Sequence, residues 1–273
     1  LVFVAFSGTL LTLVVKARDL SQVDFLKNLD LAALGFTGLW LNLNPGAGDR
    51  VFSSKGWRKL WGEDHAVVRI CDQNFIHGPD SFQQLIPELY EKALGEALDF
   101  LAPKAGDAVI DLCSGIGVSL GLWKKSGADF IGVELGGEAV ACALKNIGEG
   151  SSLRGRASER IPQLQTWMDS KALASGKFLA FVNPPRLGLE SQVTEWLANK
   201  AKPIRMAYLS CSAGTLARDL SIFVDAGYSV RRIGCYDFFP QTHHVETMAL
   251  LELDSSRSVF HSLDSRCPSR TDG

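Results

Sequence analysis

The chain has 273 residues, 46% of them hydrophobic and 21% charged, with a net charge of −2. That balance suits one large globular domain, alone or with a smaller companion, and it excludes a protein that grips nucleic acid by bulk positive charge. The six cysteines (Cys71, Cys113, Cys142, Cys211, Cys235 and Cys267) form no Cys-x-x-Cys pair, and with only five histidines no metal site is expected.

In chain order, the opening "LVFVAFSGTLLTLVV" is apolar but interrupted by Ser7, Gly8, Thr9 and Thr12. It falls short of the roughly 18–20 apolar residues of a spanning helix, so it reads as two buried strands joined at Ser7-Gly8-Thr9 rather than as a signal peptide or a membrane segment. The first residue is not Met, which suggests a piece of a longer chain. "SQVDFLKNLDLAAL" predicts a helix capped at Ser21, "GLWLNLN" a strand, "NPGAGDRVFSSKG" a loop, and the stretch to about residue 77 short strands and turns. Residues 1–77 are thus a small α+β unit.

From residue 78 the pattern alternates. "IPELYEKALGEALDFL" has helical apolar spacing. There follow the strand and helix of "GDAVIDLCSGIGVSLGLW", the strand "ADFIGVEL", the helix "GEAVACALKNIG" and the strand "KFLAFVNPPR". The helix "SQVTEWLANKA", the strand "IRMAYLSC" and the helix "GTLARDLSIFVDAG" come next, before two late strands, "YSVRRIGCYDFFP" and "VETMALLEL". Strands alternating with helices predict an α/β domain over 78–254, with a parallel sheet covered on both faces. The polar tail 255–273 is expected to be disordered. Scattered thiols point to a reducing, cytoplasmic setting.

Three strand ends carry chemistry. Gly115 and Gly117 lie in the turn after the first of these strands, where backbone can approach a nucleotide. Glu134 ends the next strand, where a carboxylate can accept both hydroxyls of a ribose. One Gly-x-Gly followed by an acid fits S-adenosylmethionine better than NAD. Asn183, ahead of Pro184-Pro185, ends a buried strand and points into the crevice at the sheet's edge.

Cys211 closes "IRMAYLSC" between two serines, just before a helix. The amino end of that helix and Arg218 one turn in would favour a thiolate. Glu246 heads an otherwise apolar strand, and burial there would raise its pKa toward the range of a general base. His243 and His244 alternate in direction on an extended segment, which suits loop or substrate contact rather than a metal.

The Gly-x-Gly strand, ribose acid, Asn-Pro-Pro turn and Ser-Cys strand end, followed by "HHVE", resemble the S-adenosylmethionine-dependent RNA (uracil-5-)-methyltransferases, makers of 5-methyluridine in tRNA or 23S rRNA. "SCSAGTLARDL" is similar to the family's Ser-Cys-Asn-Pro-x-Thr-Leu-Ala-Arg-Asp signature, and "DFFPQTHHVET" to its second one. The resemblance runs from about Phe82 to Leu253.

It implies a Rossmann-like class I methyltransferase sheet with an antiparallel last strand. It also implies Cys211 as the nucleophile on C6 of uracil and Glu246 as the base at C5. Cofactor contacts are implied at Gln84 (from a Phe-x-Gln pattern), Cys113, Gly115, Gly117, Glu134 and Asn183, and substrate contacts at Arg218 and His244. The partner is RNA, 23S rRNA ahead of tRNA, for a monomeric enzyme of rRNA processing.

The chain departs from the pattern in several places. The family usually has an aromatic where Cys113 stands, Cys at Ser114, Asn or Thr at Val118, Asp at Asn183, Asn-Pro at Ser212-Ala213 and Asn at Ile86. Its amino-terminal RNA-binding barrel and four-cysteine iron–sulfur motif are absent from this sequence, so no cluster is expected. Two other readings compete. "NPPR" is similar to the Asn-Pro-Pro-Tyr turn of amino-methyltransferases, with Arg186 in place of the aromatic, and the altered glycine turn suits a homologue that binds without turnover.

Overall fold

The computed structural model describes residues 3–19, 30–46, 51–172, 176–242 and 244–254. The expected helix beginning at Ser21 lies largely outside these residues, as do His243 and the tail.

The opening hairpin is present. Strands β1 (Phe3–Ser7) and β2 (Leu10–Val15) pair antiparallel around Gly8, whose φ of +57° suits a residue without a Cβ. Only β2 is buried, through Leu10, Leu11 and Val14; β1 is the sheet edge, with Phe6 exposed. Strand β3 (Gly38–Leu43) runs parallel to β2, and β4 (Trp57–Gly62) completes the four-stranded sheet.

A second hairpin, β5 (Ala66–Ile70) and β6 (Gln73–His77), packs elsewhere. Its Ile70 and Phe75 are buried in the core of the large sheet. The Asn146 side chain bonds both backbone groups of Ile76, at 2.8 and 3.0 Å. Hydrophobic continuity therefore crosses residue 77.

The large sheet has seven strands: β7 (Ala108–Leu112), β8 (Asp129–Glu134), β9 (Ser152–Arg154), β10 (Phe178–Val182), β11 (Arg205–Ser210), β12 (Tyr228–Tyr236) and β13 (Glu246–Leu253). Their order in space is β12-β13-β11-β10-β7-β8-β9. Only β13 runs antiparallel to its neighbours, inserted between β11 and β12. This is the Rossmann-like class I methyltransferase arrangement, with the chain reversing its direction of travel between β7 and β10.

Helices α1 (Pro87–Leu101), α2 (Val118–Ser126) and α3 (Gly137–Ile147) cover one face; α4 (Ala157–Ala172), α5 (Ser191–Trp196) and α6 (Ala213–Asp225) cover the other. Strand side chains alternate between the two cores. Val109, Leu179, Phe181, Ala207, Leu209, Met248 and Leu250 face α1–α3. Ile110, Leu112, Ala180, Val182, Met206, Tyr208, Ala249 and Leu251 face α4–α6. Two elements went unread in the sequence, β9 and α4 with Pro162 inside it; the helix expected over 191–201 is present, with its last turn, Leu197–Ala201, π-helical.

Candidate active site

The alternation decides where the site residues point. In β13, Met248 and Leu250 face α1–α3, so Glu246, two and four residues earlier, shares that face. In β11, Ala207 and Leu209 face the same way, and Cys211 is the next position in that series. Asn183 follows Leu179 and Phe181 in the same manner. The registers then bring the groups together. Ser210 pairs with Thr247 as the last step of the antiparallel β11–β13 ladder, so Cys211, one residue past Ser210, and Glu246, one residue before Thr247, leave that pair at the same end of the sheet. Val182 pairs with Tyr208 and with Leu112, which places Asn183 on the next strand over. The ladder ends there: the Asn183 N–H still reaches Leu112 O at 3.1 Å, and Pro184 supplies no donor.

Electrostatics point the same way. Glu246 is 3% exposed, and its Oε2 has no hydrogen-bond partner among the described residues. Burial pushes its carboxyl up to about 7, against a smaller pull downward from Arg186. The half-buried Cys211 thiol is raised above its ordinary value, first by burial and then by Glu246, with Arg186 pulling it down. The expected lowering of the thiol is therefore reversed, because burial and the Glu246 carboxylate outweigh a backbone hydrogen bond and Arg186. Tyr90, on α1, reaches Asn183 with its hydroxyl and lies within electrostatic reach of Glu246.

Arg218 is engaged elsewhere. Its guanidinium bonds Asp219 Oδ1 at 2.7 Å and the carbonyls of Leu187 and Leu189 at 3.1 and 3.2 Å. The cation near the thiol is Arg186. His244 donates its backbone N–H to Thr242 Oγ1 and sets its ring edge-on to Phe239. A cavity of about 360 Å³ lies on the other side of the Leu187–Ser191 segment, bounded by Thr194, Arg218, Asp219 and Ile222, and contains neither Cys211 nor Glu246.

Along the same sheet edge lies a second cluster. The Glu134 carboxylate accepts the N–H of Gly115 at 3.0 Å and of Gly136 at 2.7 Å, which fixes it across from the glycine turn. A Cβ on Gly115 would meet nothing within 4 Å, so this turn opens on space; one on Gly117 would meet Ile147 Cγ1 at 2.9 Å, so that glycine serves packing. Cys113 adopts a left-handed φ of +63°, and burial pushes its thiol up to about 12, so it stays neutral. Beneath the turn, buried Asp111 accepts the Trp123 indole N–H at 2.7 Å and is itself pushed up to about 7. Gln84 presents a buried Oε1 without a partner.

The donor set fits S-adenosylmethionine. A fixed carboxylate can take vicinal hydroxyls, an uncrowded glycine turn admits a ligand, and an unsatisfied amide oxygen can accept an ammonium. Exposed apolar side chains flank two of these residues in sequence, Phe82 and Leu85 around Gln84 and Leu135 after Glu134. Sequence reasoning missed Tyr90, Arg186 and Asp111 as members of the site. Arg186 had a signal in directly following Pro-Pro; Tyr90 reads as an ordinary core position of α1.

The model of the tRNA (uracil-5-)-methyltransferase family matches residues 168–254, which contain Asn183, Cys211 and Glu246. A 23S rRNA (uracil(1939)-C(5))-methyltransferase of a Shewanella species is 36% identical over 182 residues, 64% of this chain and 38% of that protein. Both matches are to RNA (uracil-5-)-methyltransferases, and the first covers the stretch that carries the thiol and the buried acid. Another relative, from Halalkalibacterium halodurans and named only as an uncharacterized RNA methyltransferase, is 31% identical over 217 residues, 78% of this chain and 46% of the relative.

The chain spans about half the length of the curated relatives it matches. Its fold is similar to that of the Pyrococcus abyssi tRNA (uracil-54, C5)-methyltransferase solved with S-adenosyl-L-homocysteine. The TM-score is 0.67 at 22% identity, covering 89% of this chain and 56% of that one. Among the described residues no group of acidic, histidine and cysteine side chains is arranged to hold a metal ion, and no helix is long and apolar enough to cross a membrane.

Proposed function

We propose that the protein methylates C5 of a uridine in RNA, 23S rRNA in the first place, through a covalent adduct on Cys211. The observation that carries this is the placement of a thiol and a buried carboxyl at the same end of two paired strands, at the open edge of the sheet. The rRNA preference rests on the relative named for 23S rRNA.

C5 of uracil is a weak nucleophile. In the proposed reaction the Cys211 thiolate adds to C6, and the displaced π electrons give an enolate with carbanion character at C5. S-adenosylmethionine, when bound at Glu134, Gly115 and Gln84, supplies the electrophilic methyl group. Glu246, as carboxylate, then removes the C5 proton; the C5–C6 double bond re-forms as the C6–S bond breaks, releasing Cys211. A carboxyl near 7 is matched to that task at neutral pH. The Cys211 thiol gives its proton to solvent before the addition, with the Arg186 charge favouring the thiolate, so Glu246 stays free to take the C5 proton. Asn183, carried by Tyr90, lies beside this pair and is positioned to read the base. The target uridine must leave its stack to reach the thiol.

On this reading residues 78–254 carry the chemistry, and the small α+β unit of 1–77 precedes it. Free cysteines, five of them among the described residues, suit a cytoplasmic enzyme.

The test uses RNA containing 5-fluorouridine. Fluorine cannot leave as a proton, so with S-adenosylmethionine the enzyme should form a covalent protein–RNA complex, resolved on a denaturing gel. Cys211→Ala should abolish it, and Glu246→Gln should let an adduct form on ordinary uridine and stall. Methylation of RNA by Cys211→Ala would overturn the assignment. Running 23S rRNA and tRNA transcripts in parallel decides the substrate.

A further inference from the structure

The segment Pro184–Glu190 leaves β10 beside Cys211 and is held by the first two turns of α6, the helix that Cys211 precedes. The Thr215 hydroxyl lies 3.2 Å from the carbonyl oxygens of both Arg186 and Ser212. Arg218 donates to Leu187 O and Leu189 O. Asp219, 1% exposed, is the hub: its Oδ2 accepts the Leu189 N–H at 2.9 Å and the Tyr208 hydroxyl at 2.6 Å, while its Oδ1 takes Arg218. Gly188 has a φ of +73°, and a Cβ there would meet Arg218 Nη2 at 2.6 Å and Asp219 Oδ2 at 2.8 Å, so the segment sits hard against the hub. Tyr208 belongs to β11, three residues before Cys211. One buried carboxylate thus ties the post-β10 turn to the strand and the helix that meet at the thiol.

We propose that Arg186 is the positioned cation of the Cys211–Glu246 pair, and that Asp219, with Arg218 and Thr215, is the clamp that holds it there. The register supports the placement. Val182 pairs with Tyr208 at the end of the parallel β10–β11 ladder, and the Arg186 carbonyl lies 3.2 Å from the hydroxyl of Thr215, four residues past Cys211. Arg186 is exposed at the mouth, and its charge acts on both members of the pair. Among the described residues, Arg186 from the turn acts on both members of the pair and Tyr90 from α1 lies within reach of Glu246. The clamp explains why an Arg-Asp pair in α6 accompanies a turn nearly thirty residues upstream. It deepens the methyltransferase reading by naming positioning residues for that site, but its test needs no RNA.

The rate of Cys211 carbamidomethylation by iodoacetamide, followed across pH on the full chain by peptide-resolved mass spectrometry, reports the thiolate fraction. Arg186→Ala should move the midpoint up by about 0.5–1 pH unit, the scale for losing one charge near a half-buried group, and Arg186→Lys should restore most of the shift. Asp219→Asn and the milder Thr215→Val should raise the midpoint in the same direction with Arg186 intact, in protein shown to be folded by circular dichroism. An unchanged midpoint in folded Arg186→Ala overturns the role of the cation. Unchanged midpoints in both clamp variants overturn the clamp. Absent fluorouridine trapping with these shifts present would instead count against the methylation reading alone.

Discussion

Glu246→Gln should make the protein more stable while removing its base. The carboxyl is raised from 4.5 to about 7 by burial. Between those values the unfolded chain ionises this group while the folded chain keeps it protonated, so wild type loses stability as pH rises through the window, and the loss is complete above about 7. Roughly 1.4 kcal/mol per unit over that interval gives about 3 kcal/mol at pH 8 and close to nothing at pH 4.5. Glutamine keeps the shape and carries no charge, so it escapes the penalty. Urea unfolding followed by tryptophan fluorescence at pH 4.5, 6 and 8 measures it directly. The two proteins should coincide at the acid end and diverge as pH rises. By thermal scan at pH 8, about 3 kcal/mol in a chain of this size corresponds to roughly 5–10 °C. A difference that does not grow with pH, or a less stable variant at pH 8, refutes the claim that the carboxyl is buried at a cost in the folded state.

Three further outcomes follow from the packing and the cofactor cluster. Phe75→Ala, in a hairpin whose phenyl ring is buried in the core facing α1–α3, should cost about 3–5 kcal/mol in a single cooperative unfolding transition; a separate early transition would show the hairpin to be an independent unit. Gly117→Ala and Gly115→Ala should part company. Both strain a positive φ, but only the former meets a side chain, so urea midpoints should fall further for Gly117→Ala, while calorimetric binding of S-adenosyl-L-homocysteine should fail for Gly115→Ala in a protein still folded. Glu134→Gln should weaken that binding about 10-fold or more, as expected for a charged acceptor of two hydroxyls, with little change in unfolding.

The alternating strands and helices were legible from periodicity because the central strands β7, β10 and β11 are buried on both faces and the helices between strands carry apolar stripes. Where that logic thinned, elements were missed. Strand β9 has three residues, and α4 has Pro162 in its first turns. Cys211 and Glu246 stood out because a thiol between serines and an acid at the head of an apolar strand are both poor core choices. Their mutual position could not be read, since it depends on the β11–β13 register. Arg218 looked like the cation of the thiol because it is near in sequence. Arg186 holds that place because two neighbouring parallel strands end together, a relation that spacing along the chain does not reveal.

The pairing of β11 with β13 also limits how such a chain can change. The 237–245 loop that joins β12 to β13 can vary in length without parting the two reactive groups, since hydrogen bonds between the strands, not the loop, set their alignment. Deleting one residue within β13 would instead rotate the acid through the sheet to the α4–α6 side. The irregularity between Val230 and Arg232 falls on the outer ladder, β12 against β13. The extra residue, Arg231, is taken up there, on the side away from the thiol, and the inner ladder is left unbroken.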